Sequence, residues 1–235
     1  MKRLPIGISD FRRVITDNNY FVDKSLIIQE LINSNAQITL LPRPRRFGKT
    51  LNLSMLRYFF ENRESSEELF KDLAIYQTEE FREHLNRYPV IFLSFKDIKQ
   101  QTFESSYTKL YSLIRREFMR HYKEIDIESL DFLDKLEYLN MLEGKATQQS
   151  VEDSLSLLSK LLSQRYNQSV VILIDEYDTP IHASYLHNYY NEFIEFIRNL
   201  LSGAFKDNDF LYRGVITGIL RVSSCLLYTS PSPRD

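Results

Sequence analysis

Cysteine, tryptophan and glycine are scarce in this chain, and each shortage excludes something. The sequence holds one cysteine, Cys225, and no tryptophan. A single cysteine excludes a disulfide framework and a cysteine-rich zinc site. Six glycines are present, so a glycine found in a loop is informative about the backbone conformation at that point.

Long apolar runs and an excess of charge are also absent. No run approaches the roughly 20 apolar residues that span a bilayer, and the basic start, residues 1–7, lacks the apolar stretch of a secretory signal. Thirty Lys and Arg residues stand against 32 Asp and Glu residues, a net charge of −2. This balance gives no general attraction to nucleic acid or to anionic membranes. We therefore expect a cytoplasmic protein without membrane partners.

Short β-rich runs alternate with helical periodicity along the chain. Strands are predicted at residues 37–41, 88–95, 170–174 and 210–217, and helices at 23–35, 51–60, 103–122, 129–142, 148–165 and 189–201. The continuous aliphatic run at 170–174 is typical of a parallel strand covered on both faces. Strands separated by helices predict an α/β fold, a three-layer sandwich with a mostly parallel central sheet. The stretch at about 103–165 predicts an inserted helical region, and Asp23 is the expected cap of the first helix.

A basic loop containing one glycine follows the first predicted strand. It consists of Arg43, Pro44, Arg45, Arg46, Phe47, Gly48, Lys49 and Thr50, and Leu51 begins the helical pattern. A nucleoside triphosphate needs backbone N–H groups around its phosphates, a lysine on the outer phosphates and a hydroxyl on the metal ion. Gly48, Lys49 and Thr50 offer these groups where a helix begins, and a helix N-terminus attracts anions. Because residue 43 is arginine where the general motif has glycine, a basic surface turn that caps a helix is the alternative.

Two carboxylates at the end of the aliphatic strand favour the nucleotide interpretation. Asp175 would hold Mg²⁺, and Glu176 would orient and deprotonate the attacking water. Such acids also cap helices or form turns when they occur alone. Here they follow a phosphate-binding loop in the order and on the local structures that hydrolysis requires, so the sequence predicts a nucleotide-hydrolysing site.

Other residues near these motifs carry weaker signals. Thr217 ends a predicted strand and would contact the outer phosphate or the water, although a strand-end threonine needs no such role. Arg221 would stabilise the transferred phosphoryl group, or is an ordinary surface arginine. We interpret residues 178–180 as a turn. The histidines lack metal-ligand spacing with cysteines or acids and are taken as ordinary: His84, His121, His182 and His187.

The chain resembles the predicted AAA-ATPase (AAA-ATPase-like) family of bacteria and archaea, which are P-loop NTPases with an additional catalytic glutamate. The resemblance spans residues 4–224 and is carried by residues 4–8, 20–24, 43–50, 173–178 and 216–223. It implies ATP and Mg²⁺ as ligands, a P-loop at residues 43–51 in which Arg43 is usual, and a sensor strand ending at Thr217 with Arg221 behind it. Members of this family commonly continue into a C-terminal nuclease-type domain, and the resemblance implies such a partner in the intact protein.

Three functions remain open on the sequence alone. The first is a Mg²⁺-dependent ATPase module that drives a partner activity, such as nucleic-acid processing. The second is a nucleotide-dependent binding switch with little hydrolysis. A P-loop kinase fits less well, because the adjacent Asp175 and Glu176 suit activation of water. With a slightly negative charge overall, we do not expect this chain to bind nucleic acid directly. A homo-oligomer is a further option, since an arginine from a neighbour would complete the site.

Residues 225–235 differ abruptly from the sequence before them. They resemble one reading frame of the adapter that transposase-based sequencing libraries attach to DNA fragments, whereas a natural polar tail is the alternative. We therefore expect the P-loop domain at residues 1–224 and a translated adapter after it. Resequencing the locus should give genomic codons that differ from this tail after Ser224. Genomic codons that match the tail would refute the expectation.

Overall fold

The computed structural model describes residues 2–44, 47–206 and 208–219. This part contains four strands: β1 (Ile38–Pro42), β2 (Val90–Ser94), β3 (Val170–Asp175) and β4 (Leu211–Gly218). Its α-helices are α1 (Phe11–Thr16), α2 (Ile27–Asn33), α3 (Lys49–Phe60), α4 (Glu79–His84), α5 (Phe103–His121), α6 (Phe132–Glu143), α7 (Gln148–Glu152), α8 (Ser154–Tyr166), α9 (Asp178–Leu186) and α10 (Tyr190–Phe205). Short 3-10 turns lie at Glu67–Leu69, Ala74–Gln77 and Ile127–Ser129. No helix in these ranges is both long enough and apolar enough to cross a membrane.

The four strands form one parallel sheet in the order β1-β4-β3-β2. The last strand along the chain therefore lies between the first and the third. Leu41 pairs with Thr217, and Ile174 pairs with Ile216, so β1, β4 and β3 end at the same edge of the sheet. The predicted α/β fold with a parallel central sheet is confirmed.

Side chains of β3 explain why its sequence is a continuous aliphatic run. Ile172 and Ile174 face one hydrophobic core, together with residues of α5 to α10. Val171 and Leu173 face the other core, which α1 to α4 cover. Every residue of the strand is buried. The sheet is thus the middle of three layers, and alternation of polar and apolar residues would place polar groups in a core.

Local details differ from the sequence predictions at several points. The first predicted helix begins at Ile27, and Asp23 does not cap it: its carboxylate instead accepts the N–H groups of Ser25 and Ala74, both at 2.8 Å. The stretch predicted as one helix at 148–165 breaks at Asp153 into α7 and α8. The helical region predicted at about 103–165 is present as α5 to α8. Its buried side chains belong to the core that Ile172 and Ile174 face.

Two charged side chains of α5 cover the outer edge of β2. The Glu117 carboxylate accepts the N–H of Phe92 at 2.8 Å, and the Arg120 guanidinium donates to the carbonyl of Val90. Arg120 also pairs with Glu117 and with Glu61. An unpaired strand edge invites pairing with another chain, and these side chains satisfy it from a helix instead.

Burial alone would raise the pKa of Glu117, but hydrogen bonds from His121 and Arg120 and their charges outweigh it. The pKa of this carboxyl falls from 4.5 to about 2. A carboxyl group whose pKa is lower in the folded state stabilises the fold above its unfolded pKa. That stabilisation is lost as the pH falls from about 4.5 towards 2.

Replacing Glu117 with glutamine should therefore destabilise the protein by roughly 3 kcal/mol at pH 7, because Arg120 loses a buried partner. The difference from the unsubstituted protein should shrink as the pH falls below 4.5. Urea unfolding across this pH range measures both effects. The exposed Glu195→Gln is the control and should change the stability by less than about 0.5 kcal/mol. A difference for Glu117→Gln that stays constant with pH would contradict the account.

Candidate functional site

Three strands, β1, β3 and β4, end at the same edge of the sheet. The loop that leaves β1 is tied to β4, since the N–H of Arg43 donates to the carbonyl of Gly218 at 3.1 Å. The N–H of Tyr177, just beyond β3, donates to the carbonyl of Thr217 at 3.1 Å. The carboxyl ends of parallel strands are where ligands bind in open α/β sheets. The predicted loop and acidic pair are therefore brought together at this edge.

Gly48 and Lys49 shape the start of α3. Gly48 has a φ of 74°, in the left-handed region that favours glycine, and it immediately precedes the helix. Lys49 is only 8% exposed. Its ammonium donates to the carbonyls of Arg43 at 2.8 Å and Pro44 at 3.0 Å. A buried cation thus lies inside the loop, beside the N–H groups of a helix N-terminus.

The other residues predicted to bind the nucleotide divide into three groups. Arg43, Pro44 and Phe47 are exposed on the loop. Leu51 is half-buried and packs its side chain against the core beneath α3. Arg45 and Arg46 lie outside the described residues, and so does Arg221.

Asp175 is the centre of the site. It is fully buried, and both carboxylate oxygens accept hydrogen bonds from threonine hydroxyls. Thr50, on the first turn of α3, donates to Oδ2 at 2.8 Å. Thr217, at the end of β4, donates to Oδ1 at 2.5 Å. A buried carboxylate needs such partners, and these two come from the predicted metal ligand and the predicted sensor residue.

Glu176 adopts a backbone conformation that is costly for a residue with a side chain. Its φ is 53°, in the left-handed region. Its N–H donates to the Thr217 hydroxyl at 3.3 Å, and its carboxylate accepts the hydroxyl of Thr179 at 3.2 Å. Strain of this kind persists where the surroundings impose it, and it is frequent at functional sites.

Two features of the site were not predicted. Residues 178–180, interpreted as a turn, form the start of α9, and the buried Asp178 carboxylate accepts the N–H of Ile219 at 2.8 Å. Gly218 packs directly against this corner. A Cβ there would lie 2.6 Å from the Tyr177 ring and 2.8 Å from the Asp178 carboxylate. The glycine after Thr217 was the available signal, since glycine in a strand marks a close approach.

The oxygen atoms at this edge suit a hard cation. A hydroxyl and a carboxylate, those of Thr50 and Asp175, already lie 2.8 Å apart, and Mg²⁺ prefers oxygen ligands of this kind. Within the described ranges, no group of three or more His, Cys, Asp or Glu side chains could hold a metal ion. The donor set fits Mg²⁺ in the form in which one or two protein oxygens and substrate phosphates share the ion. The four histidines are not part of it.

The strain at Glu176 is testable by comparing glycine and alanine at that position. Glu176→Gly should be more stable than Glu176→Ala by roughly 0.5–1 kcal/mol, because relief of the left-handed backbone exceeds the extra entropy that glycine loses. Urea unfolding measures the difference. At Glu195, on the exposed face of α10, the same pair should show the opposite order, since glycine weakens a helix. Equal stability of the two Glu176 variants would show that the backbone there is unstrained.

Comparisons with known proteins identify the family of this chain. The model of the family described as "Predicted AAA-ATPase" matches residues 5–227. The chain is also similar to the "Uncharacterized protein in vnfD 5'region" of Azotobacter chroococcum mcd 1, with 28% identity over 240 aligned positions that cover 100% of this chain. It spans only 40% of the length of that relative. No solved structure matched the chain significantly. Because this family model covers residues 5–227, the chain belongs to the predicted AAA-ATPase family.

Proposed function

We propose that this chain binds ATP with Mg²⁺ and hydrolyses it, and that the hydrolysis drives a partner activity. The observation that carries the proposal is the pair of hydrogen bonds from Thr50 and Thr217 to the two oxygens of Asp175. These two bonds join the start of α3, next to the proposed phosphate-binding loop, to the end of β3 and the end of β4. Membership of the predicted AAA-ATPase family supports the same class of activity.

The phosphates would lie on the loop at residues 43–50. Lys49 would exchange its bonds to two loop carbonyls for bonds to the outer phosphate oxygens, which are charged and therefore stronger acceptors. The N–H groups at the start of α3 would donate to the same phosphates. Arg43, which is exposed on this loop, would add positive charge around them, and so would Arg45 and Arg46 of the same sequence motif.

Thr50 and Asp175 would hold Mg²⁺, which supplies charge neutralisation on the phosphates when it is bound. Glu176 is the residue after β3. It would orient the attacking water and accept its proton. Thr217 donates to Asp175 and accepts from the N–H of Glu176, so it positions both acids. Arg221 would stabilise the charge of the transferred group.

The partner activity belongs to the intact protein. Nucleic-acid processing through a C-terminal nuclease-type domain, or assembly into a homo-oligomer, would use the energy of hydrolysis. The relative from Azotobacter chroococcum is much longer than this chain, which leaves room for such a domain.

A nucleotide-dependent switch with little hydrolysis is the second candidate. The contacts of Lys49 are the observation that favours the switch. Its ammonium donates to two carbonyls of the loop itself, and a bound nucleotide would break those hydrogen bonds. Loss of these contacts would change the loop conformation without any turnover.

Two substitutions separate the candidates. Glu176→Gln should lower the rate of ATP hydrolysis at least about 100-fold, because the amide cannot accept the proton of the water. It should leave ATP affinity nearly unchanged. Lys49→Ala should weaken ATP binding about 10-fold or more, because charged hydrogen bonds to the phosphates are lost. Phosphate release and equilibrium binding measure the two effects.

Controls for these substitutions lie on exposed helical faces. Glu195→Gln and Lys109→Ala should leave both hydrolysis and binding as they were. Unchanged turnover in Glu176→Gln would remove Glu176 from its proposed role. ATP binding that depends on Lys49 in a protein without measurable turnover would support the switch and contradict the ATPase.

A further inference from the structure

A small pocket opens beside the phosphate-binding loop. It has a volume of about 190 Å³ and lies between the start of α2, the end of β1 and the first turn of α3. Its lining residues are Lys24, Ile27, Leu41, Arg43, Phe47, Lys49, Asn52 and Thr217. Pockets for drug-sized ligands measure roughly 300–1,000 Å³, so this one would take part of a nucleotide rather than all of it.

One side of the pocket is continuous with the proposed phosphate site. Lys49, Arg43 and Thr217 line it there, and Lys49 and Thr217 belong to the contacts around Asp175 and the loop. A group attached to phosphates on this loop would therefore reach the pocket without crossing the protein surface. In a nucleoside triphosphate, that group is the ribose with its base.

The other side of the pocket is apolar. Ile27 and Leu41 are half-buried and pack against the core beneath α3. Phe47 faces the same space and is 57% exposed. Aliphatic and aromatic surfaces of this kind bind the faces of a flat ring, which buries apolar area on both partners. A nucleobase is the part of a nucleotide that fits these surfaces.

Asn52 is the polar group best placed to read the edge of the base. It is half-buried, and its amide has no hydrogen-bond partner within the described part of the chain. It lies three residues after Lys49 on α3, so the two side chains share one face of the helix. An asparagine amide donates and accepts at once, and this pattern matches N7 and N6 of adenine.

Lys24 would favour guanine, because an ammonium group only donates and guanine offers two acceptors on the corresponding edge. Its side chain is exposed at the rim of the pocket. A hydrated, flexible ammonium gains less from one contact than an amide fixed on a helix. Asn52 therefore outweighs Lys24 in the choice of base.

We propose that this pocket receives the base of the bound nucleotide, and that Asn52 selects adenine over guanine. The inference rests on the proposed function, since it requires phosphates on the adjacent loop. It assigns residues of α2, β1 and α3 to recognition of the nucleoside.

Binding of ATP, GTP and inorganic tripolyphosphate to the full chain tests the assignment. Tripolyphosphate carries the phosphates without a base, so its affinity reports binding to the loop without a contribution from the pocket. Asn52→Ala should lower ATP affinity about 3- to 10-fold, the range expected for lost hydrogen bonds. It should leave tripolyphosphate affinity unchanged and reduce the preference for ATP over GTP. Ile27→Ala should also lower the affinity for ATP without changing the affinity for tripolyphosphate.

The matched control is Asn62→Ala, just beyond the far end of α3 and roughly 15 Å along the helix direction from Asn52. It should alter none of the three affinities. Equal affinity of the unsubstituted protein for ATP and GTP, an unchanged ATP affinity in Asn52→Ala, or a parallel loss of tripolyphosphate binding would each overturn the base assignment.

Lys49→Ala distinguishes failure of this inference from failure of the proposed function. Loss of tripolyphosphate and ATP binding in that variant, together with no effect of Asn52→Ala, would keep the phosphate site and remove the base pocket. Binding of ATP that does not depend on Lys49 would remove both.

Discussion

The buried carboxylate of Asp175 is the constraint on which the rest of the site depends. A charge taken out of water must be compensated within the protein. Here the compensation comes from Thr50 at the start of α3 and Thr217 at the end of β4. Because the two hydroxyls reach opposite oxygens, the carboxylate holds the start of α3 and the end of β4 close to the end of β3. The strand order makes this possible, since β4 lies between β1 and β3.

This arrangement also connects the proposed phosphate-binding loop to β4 through Asp175. Any ligand that takes the Thr50 hydroxyl from Asp175 changes the balance of bonds that reaches Thr217. Thr217 in turn accepts the N–H of Glu176, whose backbone is already held in the left-handed region. The binding of a nucleotide would therefore change the hydrogen bonding at Glu176, the residue proposed to activate water. Such coupling requires a contiguous network of contacts, and these hydrogen bonds provide one.

The sequence predicted the elements of the fold better than their arrangement. The aliphatic run of β3 and the helical stripe of α5 identified both elements, because burial on two faces and on one face leaves distinct periodicities. Strand order left no such trace, since the position of β4 between β1 and β3 depends on contacts distant in sequence. The sequence assigned Thr217 and Asp175 to one nucleotide site, but their direct hydrogen bond followed from the structure alone.

Errors at the site have similar causes. Asp178, Thr179 and Pro180 are common turn formers, yet proline is also tolerated in the first turn of a helix. Local sequence could not choose between a turn and a helix, whereas the structure shows a helix whose Asp178 carboxylate accepts the N–H of Ile219. Asn52 and Ile27 carried no motif at all, and only the pocket that they share draws attention to them.

The first turn of α3 shows how few residues such a site requires. Successive residues of a helix point about 100° apart, and residues three apart return to nearly the same direction. Lys49 and Asn52 thus face the loop and its pocket, while Thr50 is rotated towards Asp175. Contacts proposed for the phosphates, the metal ion and the base all begin within four residues. A shift of this turn would disturb all three together. The partly buried hydrogen bond between Thr50 and Asp175, which holds the turn against the sheet, would therefore also set the geometry of the proposed binding.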